Sequence, residues 1–425
     1  MTMADFDIRE ADRRHVWHPY TQHAVAGEPR PIARARGAYL YDVDGNAILD
    51  AISSWWVTLH GHAQPEVAAA IAEQARTLEQ VIYAGFSHEP GARLAAELVA
   101  RAPAGLTRVF YSDNGSTAVE VAVKMALQYW QNRGERRRLV VALENSYHGD
   151  TFGAMSVSAR GLFTEPFEEH LFEVARLPDP VDHDVAGALD RLIGERPGDI
   201  AAVIVEPLLL AAGGMRVWPA KALRALRDLT EAYGILLIAD EVLTGFGRTG
   251  PLFACEHASV HPDLMCLSKG ITGGFVPFGA TLATEAIFDS FRSPDRKRTL
   301  FHGHSYAGNP IACAAGLASL ALIDDRCDER RRGIERAHRA AADRFAAIPG
   351  ITNVRVLGTV IALDLVARDG GYLSEVGPRL HRYALDRGVL LRPLGNTVYL
   401  LPPYCVTDED LGRAYDVIAD FVDAQ

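Results

Sequence analysis

The chain has little cysteine: five residues in 425 (Cys255, Cys266, Cys313, Cys327 and Cys405), with no C-x-x-C pair. An odd number without framework spacing excludes a disulfide scaffold and is expected of reduced thiols in a cytosolic protein. No run of 18 apolar residues occurs, so no membrane-spanning helix is expected. The opening stretch MTMADFDIREADRRHVWHPY lacks the apolar centre of a signal peptide, which makes a cytoplasmic location the expectation. Positive charge is also short. Lys and Arg number 43 against 54 Asp and Glu, a net charge of −11. Such a chain lacks the broad basic face that a phosphate backbone requires, so nucleic acid is not an expected partner. Internal repeats and low-complexity linkers are missing too. The apolar share of 48% and charged share of 23% exclude a disordered protein, a collagen-like chain and a coiled coil.

What is present is long enough for two or three domains, or for one large α/β domain with a smaller companion. The first ~35 residues read as irregular. Ala38–Val43 and Ala47–Ala51 then flank Asp44-Gly45-Asn46, a hairpin signal. From about residue 60, short apolar runs alternate with stretches of helical periodicity. The runs are Arg108–Tyr111, Leu139–Leu143, Ala201–Val205, Ile235–Ala239, Leu264–Leu267 and Gly279–Ala283; the helices are Thr117–Asn132, Asp184–Ile193 and Pro219–Tyr233. Such alternation predicts a mostly parallel sheet with helices on both faces. After about residue 325 the order changes to a small α+β domain. It comprises helix Asp328–Ile348, strand Val360–Val366, helix Glu375–Arg387, a hairpin of Val389–Arg392 with Thr397–Leu401 around Gly395-Asn396, and helix Thr407–Val422. The expected division is 1–59, joining the small domain; 60–325, the large domain; and 326–425, the small domain.

Open α/β sheets bind ligands at the carboxyl ends of their strands. The residues following the apolar runs are therefore the candidates: Ser112–Thr117, Glu144–Gly149, Glu206-Pro207, Asp240-Glu241 and Ser268-Lys269-Gly270. Asn114-Gly115-Ser116-Thr117 opens a helix, with Thr117 and Glu120 spaced as a capping box. A glycine and free first-turn N–H groups can cradle an anion, although an ordinary strand-to-helix turn looks the same. No P-loop lysine follows, and no G-x-G-x-x-G follows a strand. Asp240 closes an apolar run, where a carboxylate needs a cationic partner or exposure. Lys269, in a chain with few lysines, stands at another strand end, where burial can lower its pKa and make it a nucleophilic amine. Singly, each also fits a surface or structural role. Together they match the three handles of pyridoxal phosphate: the phosphate, the pyridine nitrogen and the aldehyde carbon. His15 with His18, His60 with His62, and His302 with His304 have no carboxylate or cysteine at zinc spacing, so no metal is expected.

The run from Asp240 to Gly250 (DEVLTGFGRTG), followed by Ser268-Lys269-Gly270, closely resembles the class-III pyridoxal-phosphate aminotransferases of fold type I. The resemblance runs through nearly the whole chain. Four further segments narrow it: Trp17–Thr21, Ser54-Trp55-Trp56, Phe301–Pro310, and Arg392-Pro393 with Tyr399–Tyr404. They are similar to the branch that moves the amino group of S-adenosylmethionine onto the ketone of 8-amino-7-oxononanoate in biotin synthesis. The resemblance implies that Lys269 holds the cofactor as a Schiff base and shuttles the proton. It implies that Asp240 keeps the ring nitrogen protonated, that Tyr147 stacks on the ring beside Ser146 and His148, and that Gly115 and Ser116 bind phosphate. Ser305 would reach the phosphate across a homodimer interface, so that active sites are shared. Arg392 would clamp a substrate carboxylate, and Tyr20, Trp55, Trp56, Gly303 and Tyr399 would line the substrate channel. Arg248 would be structural support. Two positions depart from the pattern: Leu243 stands where many class-III enzymes carry Gln, and Leu208-Leu209-Leu210 follows Glu206-Pro207 where a Gln is expected. A class-III aminotransferase using lysine as donor, or another ω-amine substrate, is a second reading. A catalytically silent scaffold is a third, disfavoured because a scaffold needs no reactive amine.

Overall fold

A computed structural model describes residues 6–424. Its centre is a seven-stranded sheet in the order Leu106–Ser112, Gly279–Thr284, Leu264–Leu267, Leu236–Asp240, Ile200–Val205, Leu139–Leu143, Val174–Leu177. Gly279–Thr284 runs antiparallel to both neighbours; the other recorded pairings are parallel. Leu139–Leu143, Ile200–Val205 and Leu264–Leu267 are buried at every residue, which is why they read as unbroken apolar runs. Helices cover both faces. Gly115–Asn132 packs Val119, Ala122 and Ala126 on one side, and Val185–Glu195 with Ala220–Ala232 seal the other through Leu189, Leu223 and Leu226. Val174–Leu177 is an edge strand that the sequence reading passed over, because only Leu177 in it is buried.

The predicted N-terminal hairpin forms between Tyr39–Asp42 and Ala47–Asp50. Asp42 fixes its turn, Oδ1 accepting from the N–H groups of Asp44 (3.0 Å) and Asn46 (2.8 Å). The preceding residues are not irregular throughout. Asp7 caps a helix over Ile8–His15, and Ile32–Arg36 adds a strand to the hairpin. That helix is only eight residues long, mostly charged, and buries none of them, so its apolar signal is too short to read.

Ala47–Asp50 also pairs in parallel with Val389–Leu390, more than three hundred residues away in the chain. The predicted C-terminal hairpin is therefore not formed. Thr397–Leu400 pairs instead with Val360–Leu365 in a separate three-stranded sheet. Pro393, with no N–H to donate to a ladder, lies between the two runs, which go to different sheets. Helices Asp325–Ala346, Val376–Asp386 and Asp408–Asp423 complete this part of the molecule. All five cysteines are free thiols, four of them buried. Among the described residues no helix is long and apolar enough to cross a membrane.

Candidate active site

Five strand ends meet at one cavity of about 470 Å³, lined among others by Gly115, Ser116, Tyr147, Glu206, Asp240 and Lys269. The anion cradle comes first in the chain. Helix Gly115–Asn132 starts two residues earlier than predicted, because Asn114 caps it. The Asn114 side chain accepts from the N–H of Thr117 (2.9 Å), and Thr117 Oγ1 accepts from the N–H of Asn114 (3.1 Å). The expected Thr117–Glu120 box is thus absent. Glu120 accepts instead from Thr151 Oγ1 and from the N–H groups of Gly153 and Ala154, at 2.5, 2.7 and 3.1 Å, and so caps the short helix Phe152–Val157. The N–H groups of Gly115 and Ser116 donate to no group among the described residues. Ser116 Oγ accepts from the N–H of Asp150 at 2.9 Å, drawing the Tyr147–Asp150 turn against the cradle. A Cβ on Gly115 would stand 2.7 Å from Val242 Cγ1, and one on Gly149 would stand 1.8 Å from Ser116 Oγ.

Asp240 is the last residue of its strand and is buried. Its Oδ2 accepts from His148 Nδ1 at 2.7 Å and its Oδ1 from the N–H of Val242 at 3.1 Å. The sequence reading gave His148 no role beyond shaping a turn. In the fold it is wholly buried, holds the carboxylate, and leaves its Nε2 without a partner among the described residues.

Lys269 lies on the neighbouring strand end, three residues past Cys266, which is in register with Asp240. Its φ of +40° places a non-glycine residue in the left-handed region, a strained backbone typical of functional sites. Burial lowers the pKa of its amine, against the opposing pull of Asp240 and Glu206. Glu206, noted in the sequence only as a strand end, is fully enclosed. Its Oε1 accepts from the N–H of Tyr147 (2.8 Å) and its Oε2 from that of Ala211 (3.1 Å). Burial, with the charge of Asp240 adding to it, pushes its pKa up to about 7.

Of the aromatic residues expected at the site, Trp56 and Tyr147 line the cavity; Tyr20, Trp55 and Tyr399, with Arg392, stand outside its lining and join it through their neighbours. Tyr20 donates to Asp150 Oδ2 at 2.5 Å and lies 3.4 Å from the Tyr147 hydroxyl. Burial raises the pKa of both phenols, so both stay neutral. Asp150 was missed in the sequence because its partner stands 130 residues away. Trp56 Nε1 donates to the Tyr399 hydroxyl at 2.9 Å, and the Trp56 ring centre is 5.2 Å from Lys269 Nζ. The guanidinium of Arg392 sits 4.4 Å over the Trp55 ring and has no carboxylate partner among the described residues. Arg248 is buried and donates to the carbonyls of Pro402 and Thr58, tying chain segments together. Leu243 lines the cavity within an apolar cluster that includes Trp56 and Leu209, and Leu210 is fully buried, so both departures from the family pattern are filled by packing. Gly303 and Ser305 are exposed and do not line this chain's cavity; Gln80 Nε2 donates to the Ser305 carbonyl at 2.5 Å.

An amine, a buried carboxylate and an open N–H cradle thus surround one cavity. The family model Aminotransferase class-III matches residues 20–422. The adenosylmethionine-8-amino-7-oxononanoate aminotransferase of Synechococcus elongatus is 51% identical over 418 residues, 96% of this chain and 98% of that protein. The protein of the same name from Geobacter sulfurreducens is 38% identical, covering 97% of each. Among solved structures, the adenosylmethionine-8-amino-7-oxononanoate aminotransferase from Methanocaldococcus jannaschii superposes with a TM-score of 0.94 at 32% identity, covering 98% of both chains. An omega transaminase from Pseudomonas jessenii in complex with PMP gives 0.92 at 27% identity, over 99% of this chain and 98% of that one. The chain belongs to the class-III aminotransferases.

Proposed function

We propose that this protein transfers the amino group of S-adenosylmethionine to the ketone of 8-amino-7-oxononanoate, giving 7,8-diaminononanoate, with pyridoxal 5'-phosphate as cofactor. The observation that carries the reading is the placement of Lys269 and Asp240 on neighbouring strand ends, facing the cradle of Gly115 and Ser116 across one cavity. The names of the relatives supply the substrates. The residues fit the cofactor: the two unpartnered N–H groups suit a phosphate, Asp240 suits a protonated ring nitrogen, and the buried amine suits an aldehyde.

When bound, the cofactor supplies an aldehyde that takes up amines and a ring that accepts electrons from the substrate carbon. Lys269 Nζ, whose pKa burial lowers, would hold the aldehyde and would carry a proton to and from the reacting carbon. Asp240 would stabilise a proton on the ring nitrogen, and His148 fixes the orientation of that carboxylate. Tyr147, whose N–H is pinned by Glu206, would set the position of the ring. Arg392 binds the carboxylate of the keto substrate in bidentate fashion, each charge-assisted bond contributing roughly 1.5–3 kcal/mol. Trp55, Trp56, Tyr20 and Tyr399 enclose the aliphatic chain and exclude water.

A homodimer with shared sites is the assembly this reading requires. Phe301 and Tyr306 flank the Ser305 segment and are 76% and 66% exposed, with Ile82 and Phe86 on the adjoining segment at 63% and 62%; this is apolar surface that a second copy would cover. In this reading the chain divides into 1–59, 60–325 and 326–425, and the pairing of Ala47–Asp50 with Val389–Leu390 supports joining the first part to the third; Met1–Asp5 and Gln425 lie outside the described residues. The test is a donor assay. Purified protein loaded with pyridoxal phosphate is expected to show a visible absorbance band that Lys269→Ala lacks, and to aminate 8-amino-7-oxononanoate with S-adenosylmethionine. Turnover with lysine alone would overturn the donor, and no turnover with either would overturn the reading.

A further inference from the structure

The segment that carries both tryptophans is the most strained stretch of backbone near the cavity. Ser53, Ser54 and Trp56 have φ of +53°, +60° and +70°. Three non-glycine residues in the left-handed region within four positions persist only where the surroundings over-determine them. Asp50 supplies that determination. It closes the strand Ala47–Asp50 and is 0% exposed, and its carboxylate is filled by local donors. Oδ1 accepts from the N–H of Ile52 (3.3 Å). Oδ2 accepts from the N–H of Ser54 (2.6 Å), from Ser54 Oγ (3.0 Å) and from His62 Nε2 (2.8 Å). A buried carboxylate held by four donors is far more directional than an apolar contact, and it fixes the turn from inside. Two rings leave this turn in different directions. Trp55 supports the guanidinium of Arg392 at 4.4 Å, and Trp56 packs beside Lys269 Nζ at 5.2 Å while bonding Tyr399.

We propose that Asp50 is a positioning residue for substrate: with His62 and Ser54 it locks the turn that sets Trp55 against Arg392, and so fixes where the carboxylate end of the keto substrate is held. This deepens the aminotransferase reading and rests on it. Asp50 touches neither cofactor nor substrate; it acts through Trp55.

The experiment is a double-mutant cycle on the pyridoxal-phosphate-loaded enzyme, using Asp50→Asn, which puts an amide N–H₂ among the donors, and Trp55→Ala. Asp50→Asn is expected to raise KM for 8-amino-7-oxononanoate roughly tenfold, to change kcat less than about threefold, and to leave the visible cofactor band in place. In the Trp55→Ala background the same substitution is expected to change KM less than about twofold, because the element it acts through is gone. Equal effects in both backgrounds, or an unchanged KM in the first, overturn the assignment. If Asp50→Asn does not fold, Ser54→Ala, which removes a single donor, takes its place in the same cycle, with a smaller expected rise and the same criterion. Wild-type enzyme inactive on 8-amino-7-oxononanoate would sink the functional reading itself; active wild type with an additive cycle sinks only the role of Asp50.

Discussion

Asp240 and Glu206 are two buried carboxylates in one cavity with opposite tasks. Asp240 is fed by His148 and by one backbone N–H, and in the proposed reading it faces the cationic ring nitrogen. Asp240→Asn is expected to retain bound pyridoxal phosphate but lower turnover by several orders of magnitude, read as loss of kcat with the visible band preserved; near-wild-type turnover would contradict the role. Glu206 has no side-chain cation facing it by hydrogen bond, only the N–H groups of Tyr147 and Ala211. Its folded pKa of about 7 lies above its ordinary value of 4.5, so between those values the folded state binds more protons than the unfolded one. Stability from this group is therefore greatest at low pH and is lost as pH rises through about 4.5 to 7. In cofactor-free protein, the melting temperature of Glu206→Gln is expected to gain on wild type across that window; parallel curves would refute it. Arg392→Ala removes a charge-assisted clamp and is expected to raise KM for the keto acid roughly ten- to a hundredfold. An unchanged KM would take Arg392 out of the pocket.

The decisive element is the helix Gly115–Asn132 with the turn packed on its first residues. Its open N–H groups exist because Asn114 and Thr117 satisfy each other and leave Gly115 and Ser116 free. The Gly149 turn then lies so close to Ser116 that no side chain fits. Gly149 also has φ of +127°, a conformation L-residues rarely adopt. Gly149→Ala is expected to displace the cradle and weaken pyridoxal phosphate binding by at least roughly tenfold, measured by titrating apoprotein and following the visible band. Binding at wild-type strength would mean that the turn does not set the cradle.

Across the whole molecule, the chain forms a cavity that the exposed Ser305 does not line. In the proposed homodimer each site draws Lys269 from one copy and Ser305 from the other. Lys269→Ala and Ser305→Asp, the latter setting a carboxylate against the phosphate, are each expected to be nearly inactive alone. After subunit exchange, the mixed dimer holds one site with both native residues and should recover activity. No recovery despite proven exchange would count against shared sites.

The parts legible in the sequence are those encoded locally. Strands buried on both faces read as unbroken apolar runs, Asp44-Gly45-Asn46 marks its own turn, and Asp240 and Lys269 stand out because each lies just past such a run. The family resemblance added the roles that no spacing could supply. Tertiary structure alone decided the pairings between distant segments: His148 on Asp240 across 92 residues, Tyr20 on Asp150 across 130, and Val389–Leu390 joining the N-terminal hairpin rather than Thr397–Leu400. It also decided that Asn114, not Thr117, begins the cradle helix, because Glu120 is engaged by the next helix. The physical reason is the range of the forces. Periodicity, turn chemistry and strand burial act over a few residues and leave their mark in the sequence. A hydrogen bond between side chains far apart in the chain exists only once packing has brought them together.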